Sequence, residues 1–66
     1  AYKYYTSIRI EKGDTLWSIA AEYGDEHFES GQDFLQEVIQ INHLLDSDIH
    51  QGDYLIIPYY SSEFRR

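Results

Sequence analysis

The chain is 66 residues long, with 42% hydrophobic residues, no cysteine and a formal net charge of −7. A chain this short buries only about 60% of the surface it would expose unfolded, and lacking cysteine it can use neither a disulfide nor a thiolate zinc site, so one small packed core must hold it. Five Lys and Arg against twelve Asp and Glu argue against nucleic-acid phosphate or anionic lipid as a partner, and no apolar run approaches the roughly 18 residues of a membrane-spanning helix.

Residues 5–10 alternate, with Thr6, Ile8 and Ile10 on one side and Tyr5, Ser7 and Arg9 on the other. That period of two predicts a strand with its β-branched side turned inward. Glu11-Lys12-Gly13-Asp14 breaks it, Gly13 supplying backbone freedom for a turn and Asp14 or Thr15 a helix cap. Leu16, Ile19, Ala20 and Tyr23 then fall on one stripe of a short helix, with Gly24 as its C-cap. Residues 25–32 read as a polar loop from which Phe28 folds back onto the core.

Asp33 is placed to cap a second helix, whose stripe is Phe34, Val38, Ile41 and Leu45 with Leu35 and Ile39 beside it, ending near Asn42 or His43. Asp46-Ser47-Asp48 and Gln51-Gly52-Asp53 carry turn chemistry. Tyr54–Ile57 is predicted as a short strand closed by Pro58, and 59–66 as a loosely held tail that includes the solvated pair Arg65-Arg66. The result is an α+β chain of order βααβ. Its two strands, having only each other to pair with, join antiparallel, and both helices pack on one face of that sheet. A single domain spans 1–66, with its core in 6–58.

No catalytic constellation is visible. The carboxylates lack a cleft deep enough to raise one of their pKa values, and no phosphate-binding glycine loop or nucleophile elbow is present. His27, His43 and His50 lie on separate elements without the spacing of a helical zinc pair. The sequence thus implies no enzyme, no metal and no cofactor. Trp17 lies off the main helix stripe and is expected to pack under the fold or against the 25–32 segment; the sharper alternative is a sugar-stacking platform.

The run Ile10-Glu11-Lys12-Gly13-Asp14-Thr15-Leu16-Trp17-Ser18-Ile19-Ala20, followed by Asn42-His43-Leu44, Ile49, Gly52 and Leu55-Ile56-Ile57-Pro58, resembles the LysM domain from its opening to its close. The resemblance implies the βααβ fold and binding of N-acetylglucosamine-containing glycan, peptidoglycan or chitin, in a shallow groove between two loops. Carried over by position, the groove is Gly13, Asp14, Thr15 and Leu16 from the first loop and Leu44, Leu45, Asp46, Ser47, Asp48 and Ile49 from the second. Lys12 and Gln51 stand where many LysM domains have proline, which leaves both loops less rigid. The interval from Gly24 to Asn42 is longer than in compact members. It resembles the inserted form found in cell-division suppressors of Gram-positive bacteria, which implies an extracytoplasmic place at the cell wall. Any export signal or membrane anchor would lie outside these residues. The alternative from a different class is a protein-interaction or regulatory domain, monomeric or weakly dimeric, using the 25–32 insert and Tyr59-Tyr60 as its contact patch.

Overall fold

The computed structural model describes residues 1–64; the Arg65-Arg66 pair lies outside the described residues. The order is β1 (Tyr2–Arg9), α1 (Leu16–Tyr23), α2 (Gly31–Ile41) and β2 (Tyr54–Ser61). β1 and β2 pair antiparallel from Tyr2↔Ser61 to Arg9↔Tyr54. Two further bonds, Ile10 N–H to Asp53 C=O and Gly52 N–H to Ile10 C=O, both 2.8 Å, carry the ladder into the loops.

The core is formed by Ile10, Leu16, Ile19, Ala20, Phe34, Leu35, Val38, Leu55 and Ile57. Each large side chain among them contributes about 1.5–3 kcal/mol by leaving water. α2 packs on β2, and α1 packs on α2. β1 is therefore the outer strand. For that reason Thr6, expected to face inward, is exposed, whereas Ile8 is half-buried and Ile10, nearest the loops, is buried.

Both strands are longer than their sequence patterns suggested, and Tyr59–Ser61, expected as the start of a tail, belong to β2. The amide of Asn42 bonds the outward N–H and C=O of Ile56. With a period of two, the nitrogen of Pro58 also points outward, away from β1, so its missing N–H removes no ladder bond. Tyr59, Tyr60 and Ser61 pair with Tyr4, Lys3 and Tyr2. Tyr60 stacks on His27 (4.7 Å between ring centroids) and meets Phe28 edge-on at 5.5 Å; Phe28 in turn meets Phe34 at 5.1 Å. The inserted segment is thus fastened to the far end of the hairpin through Phe28, the residue expected to fold back. The Lys3 ammonium lies 2.7 Å from the Glu37 carboxylate, joining β1 to α2, and that hydrogen bond raises its pKa.

α2 begins earlier than expected. Ser30, not Asp33, is the N-cap, its hydroxyl accepting from Asp33 N–H at 3.1 Å. The first turn, Gly31-Gln32-Asp33, is wholly exposed and so carries no periodic signal. At the other end Leu44 N–H bonds Ile39 C=O and His43 N–H bonds Gln40 C=O, the two bonds of a Schellman closure. His43, at φ 55°, occupies the left-handed position that glycine usually fills; Asn42, at φ −92°, does not. The closure turns the chain off the helix axis, so Leu45 never joins the stripe predicted for it and is fully exposed.

Gly24 does cap α1, but by close approach rather than positive φ. Its N–H bonds Ala20 C=O at 2.9 Å, and a Cβ there would lie 2.7 Å from that same oxygen and 3.2 Å from Phe34 Cγ.

Candidate functional site: a cleft between two loops

The first loop is built around a turn and a helix cap. Asp14 N–H bonds Glu11 C=O at 3.1 Å, and Gly13, third of the four residues, has φ 86°. Positive φ at that position alone is type II geometry, which only glycine adopts without strain. The Asp14 carboxylate folds back onto Glu11 N–H at 2.9 Å. Thr15 and Ser18 form a reciprocal capping box: Thr15 Oγ1 accepts from Ser18 N–H, and Ser18 Oγ accepts from Thr15 N–H. Thr15 C=O accepts from Ile19 N–H and from the Ser18 hydroxyl. The polar groups of Thr15 are therefore spent inside the protein, and its outward contribution is chiefly its methyl.

The second loop repeats the turn. Asp53 N–H bonds His50 C=O at 3.1 Å, and Gly52 has φ 91°. Lys12 and Gln51 thus occupy equivalent places, the second residue of a type II turn, where proline is favoured. Upstream, Asp46 Oδ1 accepts from Asp48 N–H at 2.9 Å, closing a small Asx turn that holds Ser47 at its tip.

Between these loops lies an open cleft of about 390 Å³. Thr15 and Leu16 come from the first loop and Ser47 and Asp48 from the second; Leu35 and Ile39 of α2 lie between them, and Trp17 and Gln32 extend one wall. No lining residue is cationic, and Asp48 is the one carboxylate. Among the described residues the N–H groups of Gly13, Leu16, Ser47 and Ile49 donate to no protein acceptor, so both loops present free backbone donors.

Of the ten residues the sequence put in the groove, the cleft brings together Thr15, Leu16, Ser47 and Asp48. Gly13 and Asp14 form the turn behind it. Leu44 and Ile49, with Asp48 shared, line a second, smaller hollow of about 170 Å³ beside Ile10, His50 and Tyr54. Leu45 and Asp46 line neither and face solvent. Trp17, expected to be packed away, is 61% exposed. Nothing in the sequence points to Gln32, because the first turn of α2 is exposed on every side and has no hydrophobic period. The helical period marks Leu35 and Ile39 only as core, although both also line the cleft.

These features define a class: a small α+β module of βααβ order with an open cleft between the loop entering its first helix and the loop leaving its second. The chain belongs to the LysM domain family, whose sequence model matches residues 8–58. It is similar to the cell division suppressor protein YneA of Bacillus subtilis, 44% identical over 54 residues, covering 82% of this chain and 51% of that protein. Its likeness to YneA of Bacillus velezensis is 41% over 54 residues, covering 82% and 52%. Against YneA of Geobacillus thermodenitrificans it is 33% over 61 residues, covering 92% and 60%. The chain thus spans about half the length of these relatives. No solved structure gives a significant match. No helix among the described residues is long and apolar enough to cross a membrane.

Proposed function

We propose that this chain is a non-catalytic glycan-binding module that docks its parent protein onto N-acetylglucosamine-containing peptidoglycan, with the cleft between the two loops as its site. The observation that carries this reading is a cleft that sets the apolar side chains of Leu16, Leu35 and Ile39 beside two residues, Leu16 and Ser47, whose backbone N–H groups have no protein acceptor. An N-acetyl group offers a carbonyl to such donors, an N–H to nearby carbonyls, and a methyl to Leu16, Leu35 or Ile39. Each such hydrogen bond nets only about 0.5–1.5 kcal/mol in water. One module therefore binds weakly, and firm attachment depends on effective concentration supplied by a membrane anchor or further modules in the parent. The similar proteins come from Bacillus and Geobacillus, which fits a place outside the membrane at a Gram-positive wall.

Ser47 is the cleanest probe. Its side chain makes no hydrogen bond among the described residues and is exposed, whereas changing Thr15 also removes a cap worth about 0.5–2 kcal/mol. Ser47→Trp is expected to fold as the parent does and to lose most of its retention on purified peptidoglycan. Retention equal to the parent's would move the site out of this cleft.

A second reading, a protein contact serving division control, is favoured by one feature: the outer sheet face exposes Tyr5, Tyr54 and Ile56 together. Within the 25–32 segment and Tyr59-Tyr60, Phe28 and Tyr60 pack against each other, while the rest of that segment is exposed.

A further inference from the structure

We propose that Trp17 and Gln32 form a sugar subsite of their own, extending the cleft from the loops onto the start of α2, and that it takes an uncharged N-acetylhexosamine ring. This rests on the glycan reading above. Trp17 is 61% exposed in a protein that has no other tryptophan, although a large apolar side chain left open costs solubility without adding to the core. A Cβ at Gly31 would lie 3.7 Å from Trp17 Cζ3, so the six-membered ring of the indole rests against the first turn of α2. Gln32, the next residue, lines the same wall and brings an amide that can both donate and accept.

A pyranose presents an apolar C–H face and a rim of hydroxyl and amide groups. An indole face beside a carboxamide matches that pattern. The charge of the cleft selects further: its one ionisable lining residue is Asp48, on the opposite wall, and no lysine or arginine lines it. A carboxylate-bearing sugar or an acidic stem peptide would meet repulsion without a compensating cation, in a molecule of net charge −7. Unsubstituted N-acetylglucosamine stretches meet none.

The lone tryptophan is its own reporter. The full chain is titrated with N-acetylglucosamine tetramer while indole fluorescence and backbone amide shifts are followed together. Expected are a change in indole emission that saturates with the amide shifts of both loops, and a loss of affinity of about three- to tenfold in Trp17→Ala. Trp17→Phe, which keeps an aromatic face, should retain most of that affinity. Because Trp17 is mostly exposed, amide dispersion in Trp17→Ala is expected to match the parent. Loop shifts with unchanged indole emission, or a Trp17→Ala variant that binds like the parent, would overturn the subsite and leave the loop groove standing. Absence of any shift in either loop would overturn both.

Discussion

Asn42 is the residue whose loss should be felt most for its size. Its side-chain amide donates to Val38 C=O and to Ile56 C=O and accepts from Ile56 N–H, each at 2.8 Å. It thereby ends α2, covers the outer edge of β2, and fixes the helix to the sheet. Three hydrogen bonds at about 0.5–1.5 kcal/mol each give an upper range of about 1.5–4.5 kcal/mol. The two Ile56 groups lie at an exposed edge where water can replace the amide, so Asn42→Ala is expected to cost about 2–3 kcal/mol. In a domain this small that is a lowering of the melting temperature of about 10–20 °C, out of a total stability of only several kcal/mol.

Asn42→Asp separates hydrogen bonding from mere size. The introduced carboxylate keeps an acceptor for Ile56 N–H but turns a second oxygen toward two carbonyls, which disfavours its charged form in the folded state. A carboxyl whose folded pKa is raised contributes most below its unfolded pKa and loses that contribution as pH rises. Asn42→Asp should therefore be at least as unstable as Asn42→Ala at pH 7 and should recover as pH falls into the carboxylate range. Urea unfolding followed by circular dichroism at several pH values measures both. A cost below about 0.5 kcal/mol for Asn42→Ala, or an Asn42→Asp variant that gains stability as pH rises, would refute the bracing role.

Gly24→Ala places a methyl 2.7 Å from a backbone oxygen and 3.2 Å from the Phe34 ring, neither able to yield freely; overpacking of this kind costs about 1–3 kcal/mol, read as a lower urea midpoint. Lys12→Pro and Gln51→Pro fill the second position of type II turns, and neither backbone N–H bonds an acceptor among the described residues. Each is expected to stabilise by about 0.4–1 kcal/mol through the unfolded chain, checked by thermal unfolding; a loss in either would refute the turn assignment. His43→Gly relieves a left-handed residue at the Schellman closure and should gain a similar amount in the same assay.

The elements legible in the sequence were those whose burial has a period. Leu16, Ile19 and Ala20 are buried as their spacing indicated, as are Phe34, Leu35 and Val38. What escaped was structure held by edges and contacts rather than by a buried stripe. The strand continues past Pro58 because the proline nitrogen falls on the side of β2 that faces away from β1, as the Ile56 N–H bonded to Asn42 does, a fact of register invisible to propensity. The first turn of α2 is polar on every side, and Leu45 fits a helical period that the αL residue at His43 cuts short. The two loops that flank the cleft were legible through the family pattern, but which of their flanks face it was not. Asp48 lies where both hollows meet, and Leu44 and Ile49 turn to the smaller one. The exposure of Trp17 has no signature in the sequence, because a lone indole beside a helix stripe fits a packed position equally well.

The most direct test of glycan docking is a titration of the isotope-labelled chain with N-acetylglucosamine oligomers and soluble peptidoglycan fragments, following backbone amides at pH 5 and pH 7. The expected result is saturable shifts at Gly13–Leu16 and at Ser47–Ile49, with the N–H groups that lack protein acceptors moving most. No shift at millimolar ligand would contradict the proposal and direct attention to the exposed sheet face around Tyr5, Tyr54 and Ile56.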